Sequence, residues 1–142
     1  MSDEELTKVS ILQSLTEHFA QCPALVDLTQ RVDKIGSVEE YGLFATGRTL
    51  ISEDMAGNQQ WQYNFMLQAE RMTENDILRL ENNEFIDELQ DWVAQQNRVG
   101  ISLQDAEFIG ITASNGMLVD WDDRNQYGTY RVQCSLIYEK ES

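Results

Sequence analysis

The side chains of this chain that could do chemistry are mostly carboxylates, and their spacing does not complete a metal-binding loop. Asp120, Asp122 and Asp123 resemble the start of a calcium-binding loop. Positions 5 and 12 of such a loop carry oxygen ligands, but here they would be Arg124 and Arg131. A solvated turn is therefore the better interpretation of these aspartates.

The chemistries that use histidine or cysteine also lack their partners in this sequence. His18 is the single histidine, and it lies within a predicted helix, opposite no obvious nucleophile. This placement favours a surface or half-buried helical residue over a general base. Cys22 and His18 have no second pair of ligands with which to build a zinc site. Acidic pairs such as Asp87-Glu88 fit a charged surface. We therefore expect no enzyme activity, no catalytic residue, no metal and no cofactor.

Length and charge indicate one acidic domain. The 142 residues, of which 42% are hydrophobic, suffice for a single domain over residues 1–142 with a real core. The formal net charge is −15, which argues against nucleic acid or an anionic membrane as a partner, because phosphate binding is driven by lysine and arginine.

The start of the chain and its cysteines favour a reducing cytosol. Asp3, Glu4 and Glu5 stand where a signal peptide would be basic, and no stretch approaches the roughly 20 apolar residues of a membrane span. Cys134 falls on the apolar side of a predicted strand. Buried free thiols at Cys22 and Cys134 are therefore favoured over a disulfide between them.

Apolar spacing predicts two helices. The first covers residues 4–21, with a stripe of Leu12, Leu15 and Phe19, and Cys22-Pro23 ends it. The second begins after a cap at Thr73 and runs to about Arg98, with a possible break near Asn82-Asn83 and a stop at Gly100. Its apolar face holds Leu78, Phe85, Leu89 and Trp92.

Strict alternation of apolar and polar residues predicts two long strands. In residues 59–71, aromatic and aliphatic side chains from Trp61 to Ala69 alternate with amides such as Gln62, Asn64 and Gln68. In the last strand, from Tyr127 to Tyr138, one side is apolar and the other carries polar residues. The polar residues are Thr129, Arg131, Gln133 and Ser135.

The remaining segments give weaker signals. A short strand is predicted around Tyr41–Phe44, followed by a polar, mobile loop from Gly47 to Gly57. Residues 107–121 predict a hairpin with its turn at Asn115-Gly116, and residues 122–125 predict the next turn. Residues 24–38 fit either short strands or an irregular crossing. The order of elements predicts an α+β fold, in which a mostly antiparallel β-sheet has two helices packed on one face.

Two blocks of this sequence resemble a phage structural family. One is the helix from Phe85 to Gly100, with its Trp92 and a Gln-Asn-Arg run, and the other is the strand from Tyr130 to Tyr138. The aromatic strand precedes that helix, and Cys22-Pro23 closes the first helix. In this order they resemble the small minor capsid protein family of tailed phages and prophages of Gram-positive bacteria, whose members look like tail terminators. The resemblance spans roughly residues 10–139 and is weakest in residues 26–57.

The resemblance implies a virion component that works by self-assembly, in the virion and, during assembly, in the host cytoplasm. Such a protein forms a ring, by family resemblance a hexamer, on the end of the tail tube or at the head–tail joint. Its partners would be further copies of itself, the major tail protein and the head–tail connector proteins. No membrane and no specific nucleic acid binding are implied, although DNA would pass through the ring and a negative lumen would ease its passage.

The polar sides of the two long strands are the candidate contact surface. Gln62, Asn64, Gln68, Arg131 and Gln133 would form a polar sheet face that suits a wet subunit interface, a ring lumen or plain solvent exposure. Trp121 is predicted to lie at the rim of a hairpin among aspartates, where an exposed indole would be a contact residue. The alternative function is a small adaptor or regulatory binding module that uses the loop at residues 47–58 and Trp121.

Overall fold

The computed structural model describes residues 3–25, 29–32, 40–72, 76–122 and 127–141. The elements in these ranges are α1 (Asp3–Phe19), a short 3-10 helix (Pro23–Leu25), β1 (Thr29–Val32), β2 (Glu40–Glu53), β3 (Gln59–Met72), α2 (Asp76–Val99), β4 (Glu107–Asp122) and β5 (Tyr127–Lys140).

The strands form one sheet in the order β1-β2-β3-β5-β4. β1 pairs parallel with β2, whereas every other neighbouring pair is antiparallel. Both helices lie on the same side of this sheet, since the Phe19 ring of α1 contacts Phe65 of β3 at 5.8 Å and Trp92 of α2 at 5.2 Å between centroids. The predicted α+β fold, mostly antiparallel with two helices on one face, is confirmed.

The helices bury part of the stripes that their spacing predicts: Leu12 and Trp92 are half-buried, and the side chain of Leu78 lies outside the described residues. In α1, Leu15 and Phe19 are fully buried one turn apart, and the helix ends just before Cys22-Pro23. In α2, the residues buried at helical spacing are Phe85, Ile86, Leu89 and Val93. Gly100 follows at φ 84° and donates its N–H to the Gln96 carbonyl oxygen at 2.7 Å, which is the expected glycine termination of a helix.

The predicted break in α2 near Asn82-Asn83 is wrong. The helix is continuous there, and the Asn82 side chain is buried, with its Oδ1 accepting a hydrogen bond from Arg71 Nε of β3 at 2.7 Å. The Asn82-Asn83 pair therefore marks a contact between the helix and the sheet, and the helix does not end there.

The two long strands predicted from alternation are confirmed, and they lie side by side. β3 and β5 pair antiparallel along their whole length, with Phe65 opposite Cys134 and Leu67 opposite Val132. These four side chains are buried beneath the helices, and directly opposed residues share a face of the sheet. The apolar side of the closing strand is thus part of the core.

The predicted mobile loop from Gly47 to Gly57 is wrong over most of its length. β2 continues to Glu53 and pairs with β3 as far as Gln59, so only residues 54–58 form the turn. Two register shifts, at Ala45/Gly47 and Leu50/Ser52, break the alternation that marks a strand. We call residues 45–61 the arm. From Ala45 to Glu53 all side chains are exposed except that of the half-buried Arg48, so no apolar stripe is required there.

The predicted hairpin at Asn115-Gly116 is also wrong. β4 runs without a turn from Glu107 to Asp122, and Asn115, at φ 56°, stands in a β-bulge opposite Val132. Positive φ serves a bulge as well as a turn, so the dipeptide signal does not distinguish them. Gly116 is required for a different reason: its N–H donates to Gln90 Oε1 at 2.9 Å, and a Cβ there would collide with Gln90 and Ile86 of α2.

Some predictions fall on residues outside the described ranges. The predicted cap at Thr73 lies there, as does most of the turn at residues 122–125. Of residues 24–38, the described parts hold the short 3-10 helix and β1. In the described part of the chain, neither helix combines the length and apolar character needed to cross a membrane.

Both cysteines are buried free thiols, as predicted. Burial raises the pKa of the Cys134 thiol from 9.0 to about 12, and burial also raises the pKa of Cys22. Because the folded pKa of Cys134 exceeds the unfolded one, its contribution to stability is complete below about pH 9 and is lost as pH rises towards 12.

We therefore expect neither thiol to react with a disulfide reagent within minutes at pH 8 in the folded protein, and both to react at once in denaturant. Absorbance of the released thiolate, followed with time, measures this directly. Rapid reaction of one equivalent in the folded state would contradict the burial of that cysteine.

Candidate functional site

The face of the sheet opposite the helices is the candidate site, and we call it the open face. Side chains alternate across a strand, and directly opposed residues of antiparallel neighbours share a side. The pairing of Gln68 with Arg131, and of Asn64 with Ser135, therefore places these side chains together, away from the buried Leu67 and Cys134. No described helix covers them.

Side-chain hydrogen bonds connect the polar residues of the open face. Arg131 Nε donates to Gln68 Oε1 at 2.8 Å. Ser135 Oγ donates to Asn64 Oδ1 at 3.1 Å, and Gln62 Nε2 donates to the same oxygen at 3.0 Å. Such bonds hold each amide in one orientation, so the surface offers a defined pattern of donors and acceptors to a partner.

A concavity of about 370 Å³ lies in the middle of the open face. Its lining comes from β2, β3, β5 and β4, and includes Thr46, Asn64, Met66, Ser114 and Arg131. The lining supplies hydroxyls, amides and one guanidinium, but no carboxylate or histidine. This chemistry can bind polar side chains or backbone groups of another protein, and it contains no pair of groups that could act as acid and base.

One end of the open face has a different electrostatic character. Glu70 of β3 is half-buried, and burial together with the nearby Glu40 carboxylate raises its pKa. Glu40, at the start of β2, is itself buried. The open face therefore has the Arg131 guanidinium near its centre, and the carboxylates of Glu40 and Glu70 lie next to each other towards β1.

The structure brings together all of the predicted contact residues except Trp121. Gln62, Asn64, Gln68, Arg131 and Gln133 share the open face. Trp121 is 49% exposed, but it pairs with Gly128 and so lies on the helix side of the sheet, near the end of β4. It cannot contribute to the same surface.

Two residues of the face were missed by the prediction. Thr112 and Ser114 of β4 lie opposite Ser135 and Gln133 and line the concavity. The predicted hairpin placed Ser114 beside a turn, which concealed its position. Ile111 and Ala113 alternate with these two hydroxyl residues, and this alternation is the sequence signal that could have predicted a strand continuing through Ser114.

The residues considered for catalysis lie away from the open face. His18 Nε2 is 2.7 Å from Gln96 Oε1, and its ring packs on Trp92 at 5.4 Å between centroids, between the two helices. Across the described ranges, no three histidine, cysteine or acidic side chains are close enough together to hold a metal ion. These contacts give His18 a role in packing.

Comparison with known proteins does not identify a family for this chain. No family model matches the chain, and no curated protein matches it. One solved structure, of a protein whose name describes no activity, aligns with 100% of this chain and 98% of its own, at 15% identity and a TM-score of 0.49. At that level of similarity the match supports no conclusion about function.

Proposed function

We propose that the chain is a structural protein of a tailed-phage virion, a tail terminator or head–tail joining component that assembles with copies of itself into a ring. It acts by binding and carries out no catalysis. By family resemblance the ring is a hexamer, its neighbours are the major tail protein and the connector proteins, and DNA passes through without specific binding. The protein works in the virion and, before that, in the host cytoplasm.

The open face is the observation that supports this proposal best. A broad polar sheet surface with its amides already hydrogen-bonded to one another suits a wet subunit contact or the wall of a lumen. The resemblance of the Phe85–Gly100 helix and the Tyr130–Tyr138 strand supplies the phage context. A surface of this kind needs no cofactor and leaves a ring free to use other patches for closure.

The adaptor alternative is weakened by the arm. It relied on a mobile loop at residues 47–58, whereas residues 47–53 are paired strand and the turn is held by Asp54. The Asp54 carboxylate accepts hydrogen bonds from the backbone N–H groups of Ala56 and Asn58, both at 2.9 Å. These bonds lower the pKa of Asp54 and fix the turn.

The oligomeric state over a range of concentrations tests the proposal. We expect native mass spectrometry and light scattering to show a closed oligomer in solution or, where assembly needs a template, electron microscopy to show rings on the ends of added tail tubes. A chain that stays monomeric at every concentration and never caps a tube would sink the proposal.

A further inference from the structure

We infer that the concavity of the open face is a carboxylate-binding site, and that in the proposed ring it holds the acidic outer side of α2 from the next copy. The carboxylates concerned lie in one row on α2, which we call the acidic stripe: Glu81, Glu84, Glu88 and Asp91. Each subunit contact then joins the sheet of one copy to the helix layer of its neighbour. This inference rests on the proposed function and names its subunit contact.

The amides that line the concavity have N–H groups left for a ligand, because their oxygens are already used within the sheet. Asn64 Oδ1 accepts hydrogen bonds from Gln62 Nε2 at 3.0 Å and from Ser135 Oγ at 3.1 Å. Gln133 Oε1 accepts one from Asn115 Nδ2 at 3.4 Å. Among the described residues, Asn64 Nδ2 and Gln133 Nε2 have no acceptor. Three lining hydroxyl groups also have no partner in the described ranges: those of Thr46, Thr112 and Ser114.

Arg131 adds a full positive charge to these donors. Its Nε donates to Gln68 Oε1 at 2.8 Å and its Nη2 donates to the same oxygen, which leaves Nη1 without an acceptor in the described part of the chain. Arg48 and Arg71, by contrast, lie over aromatic rings at 4.3 and 4.4 Å from the centroids. A guanidinium surrounded by amide and hydroxyl donors is matched best by a carboxylate, which only accepts hydrogen bonds.

The middle of the open face is free of acidic side chains in the described ranges. The acids on this side of the sheet lie towards its two ends: Glu40, Glu70 and Asp120 at one, and Glu107 and Glu139 at the other. Between them, from Gln62 to Gln68 of β3 and from Arg131 to Ser135 of β5, the side chains are neutral apart from the guanidinium. A carboxylate that enters the concavity therefore meets donors and no like charge.

The acidic stripe is a surface that needs such a partner. Its four residues follow one another at spacings of three, four and three, so they share one side of α2, and all four are exposed. None of them has an ion pair with a described residue. Carboxylates at these spacings repel one another and lower the stability of a helix. An opposing surface of donors relieves that repulsion.

The two surfaces lie on opposite layers of the domain, as a head-to-tail contact requires. α2 buries Leu89 and Val93 towards the sheet, so the acidic stripe lies on its far side. A ring needs two different patches on each copy that fit each other. Copies with a net charge of −15 repel, and this pairing makes the local charges attract. The stripe is about 15 Å long and the acid-free middle of the open face about 20 Å.

Charge reversal on each surface of the full chain tests the contact. Arg131→Glu opposes a carboxylate to the acidic stripe, and the double variant Glu84→Arg, Glu88→Arg opposes guanidinium groups to Arg131. We expect each variant to raise the concentration at which half of the subunits are in rings by at least about tenfold, because opposed like charges weaken a contact. Native mass spectrometry over a concentration series measures this, or electron microscopy of capped tubes where assembly needs a template.

An equimolar mixture of the two variants should assemble although neither variant assembles alone. When they alternate, the open face of the Arg131→Glu copy meets the reversed stripe of the Glu84→Arg, Glu88→Arg copy. The unchanged open face of the second copy meets the unchanged stripe of the first, so every contact is attractive and rings of even number close. Recovery in the mixture also shows that both variants are folded.

The matched control reverses two acids outside both surfaces. Glu17 of α1 and Glu53 at the end of β2 are exposed. A chain that combines Arg131→Glu with Glu17→Arg and Glu53→Arg should stay unassembled, whereas a chain that combines Arg131→Glu with Glu84→Arg and Glu88→Arg should form rings. The two chains have the same net charge, so the difference between them reports the position of the charges.

Four outcomes would overturn the inference. If the unchanged protein forms rings and both charge-reversal variants form them at the same concentration, this contact fails while the proposed function stands. If each variant fails alone and their mixture also fails, the two surfaces do not meet. If fluorescence anisotropy shows that a labelled DNA duplex binds the unchanged protein but not Arg131→Glu, the site takes phosphate. If the unchanged protein is monomeric under all conditions and caps no tubes, the proposed function fails as well.

Discussion

Replacing Phe19 with alanine is expected to lower the free energy of unfolding by about 3–5 kcal/mol. Phe19 is fully buried at the last turn of α1, and its ring meets Phe65 and Trp92 edge-on at centroid distances of 5.8 and 5.2 Å. The ring therefore joins α1, the sheet and α2. Truncation removes its apolar contacts with all three and leaves a cavity that the surrounding sheet cannot collapse into. Urea denaturation followed by circular dichroism measures the change.

The matched control for Phe19 is Gln13→Ala in the same helix. Gln13 is exposed, and its side chain makes only a 3.3 Å hydrogen bond to Glu17, so its replacement should change stability by less than about 0.5 kcal/mol. A loss below about 1 kcal/mol for Phe19→Ala would show that α1 does not pack on the sheet as described.

Replacing Gly116 with alanine is expected to destabilise the fold by about 1–3 kcal/mol. The new Cβ would collide with Gln90 Oε1 and Ile86 Cγ2 of α2, and the helix would have to move away from β4. The movement would also stretch the 2.9 Å hydrogen bond from Gly116 N–H to Gln90. Thermal and urea denaturation of the variant measure the loss.

Ser114→Ala is the control for Gly116, since Ser114 is an exposed residue of the same strand, and it should be nearly neutral. A double-mutant cycle with Ile86→Ala adds a second readout. Removing the Ile86 side chain makes room for the new methyl, so Gly116→Ala should cost less in that background. Equal costs in both backgrounds would mean that the contact with Ile86 is not part of the cause, which would leave the collision with Gln90 alone.

The candidate site could be predicted in part, because the alternation in β3 and β5 is strong. This alternation predicted that five residues lie on the polar sides of the two strands, and the structure places all of them on the open face: Gln62, Asn64, Gln68, Arg131 and Gln133. Their hydrogen bonds to one another depend on which residues are opposed across strands. Register is a long-range property, and the periodicity of either strand alone does not contain it.

The two wrong assignments, the arm and β4, share a cause. In both, a glycine beside polar residues imitates the local signal of a turn, and β-bulges interrupt the alternation. What makes these segments strands is the backbone pairing of each with the next strand along the chain: β2 with β3 in the arm, and β4 with β5. Trp121 is exposed near the end of β4, as predicted, but the side of the sheet on which it lies depends on the bulges upstream and could not be predicted.

By itself the sequence determined the α+β class, most of the buried face of each helix, the stop at Gly100 and the two-sided character of the long strands. These follow from periodicity and from local backbone chemistry, which act within a few residues. Only the tertiary structure decided that β4 is unbroken, that the arm is a paired ribbon, and that the polar sides of β3 and β5 lie together on one face of the sheet. Those properties depend on the register of hydrogen bonds between strands and on which side of the sheet the helices cover, and neither leaves a periodic signature in the chain.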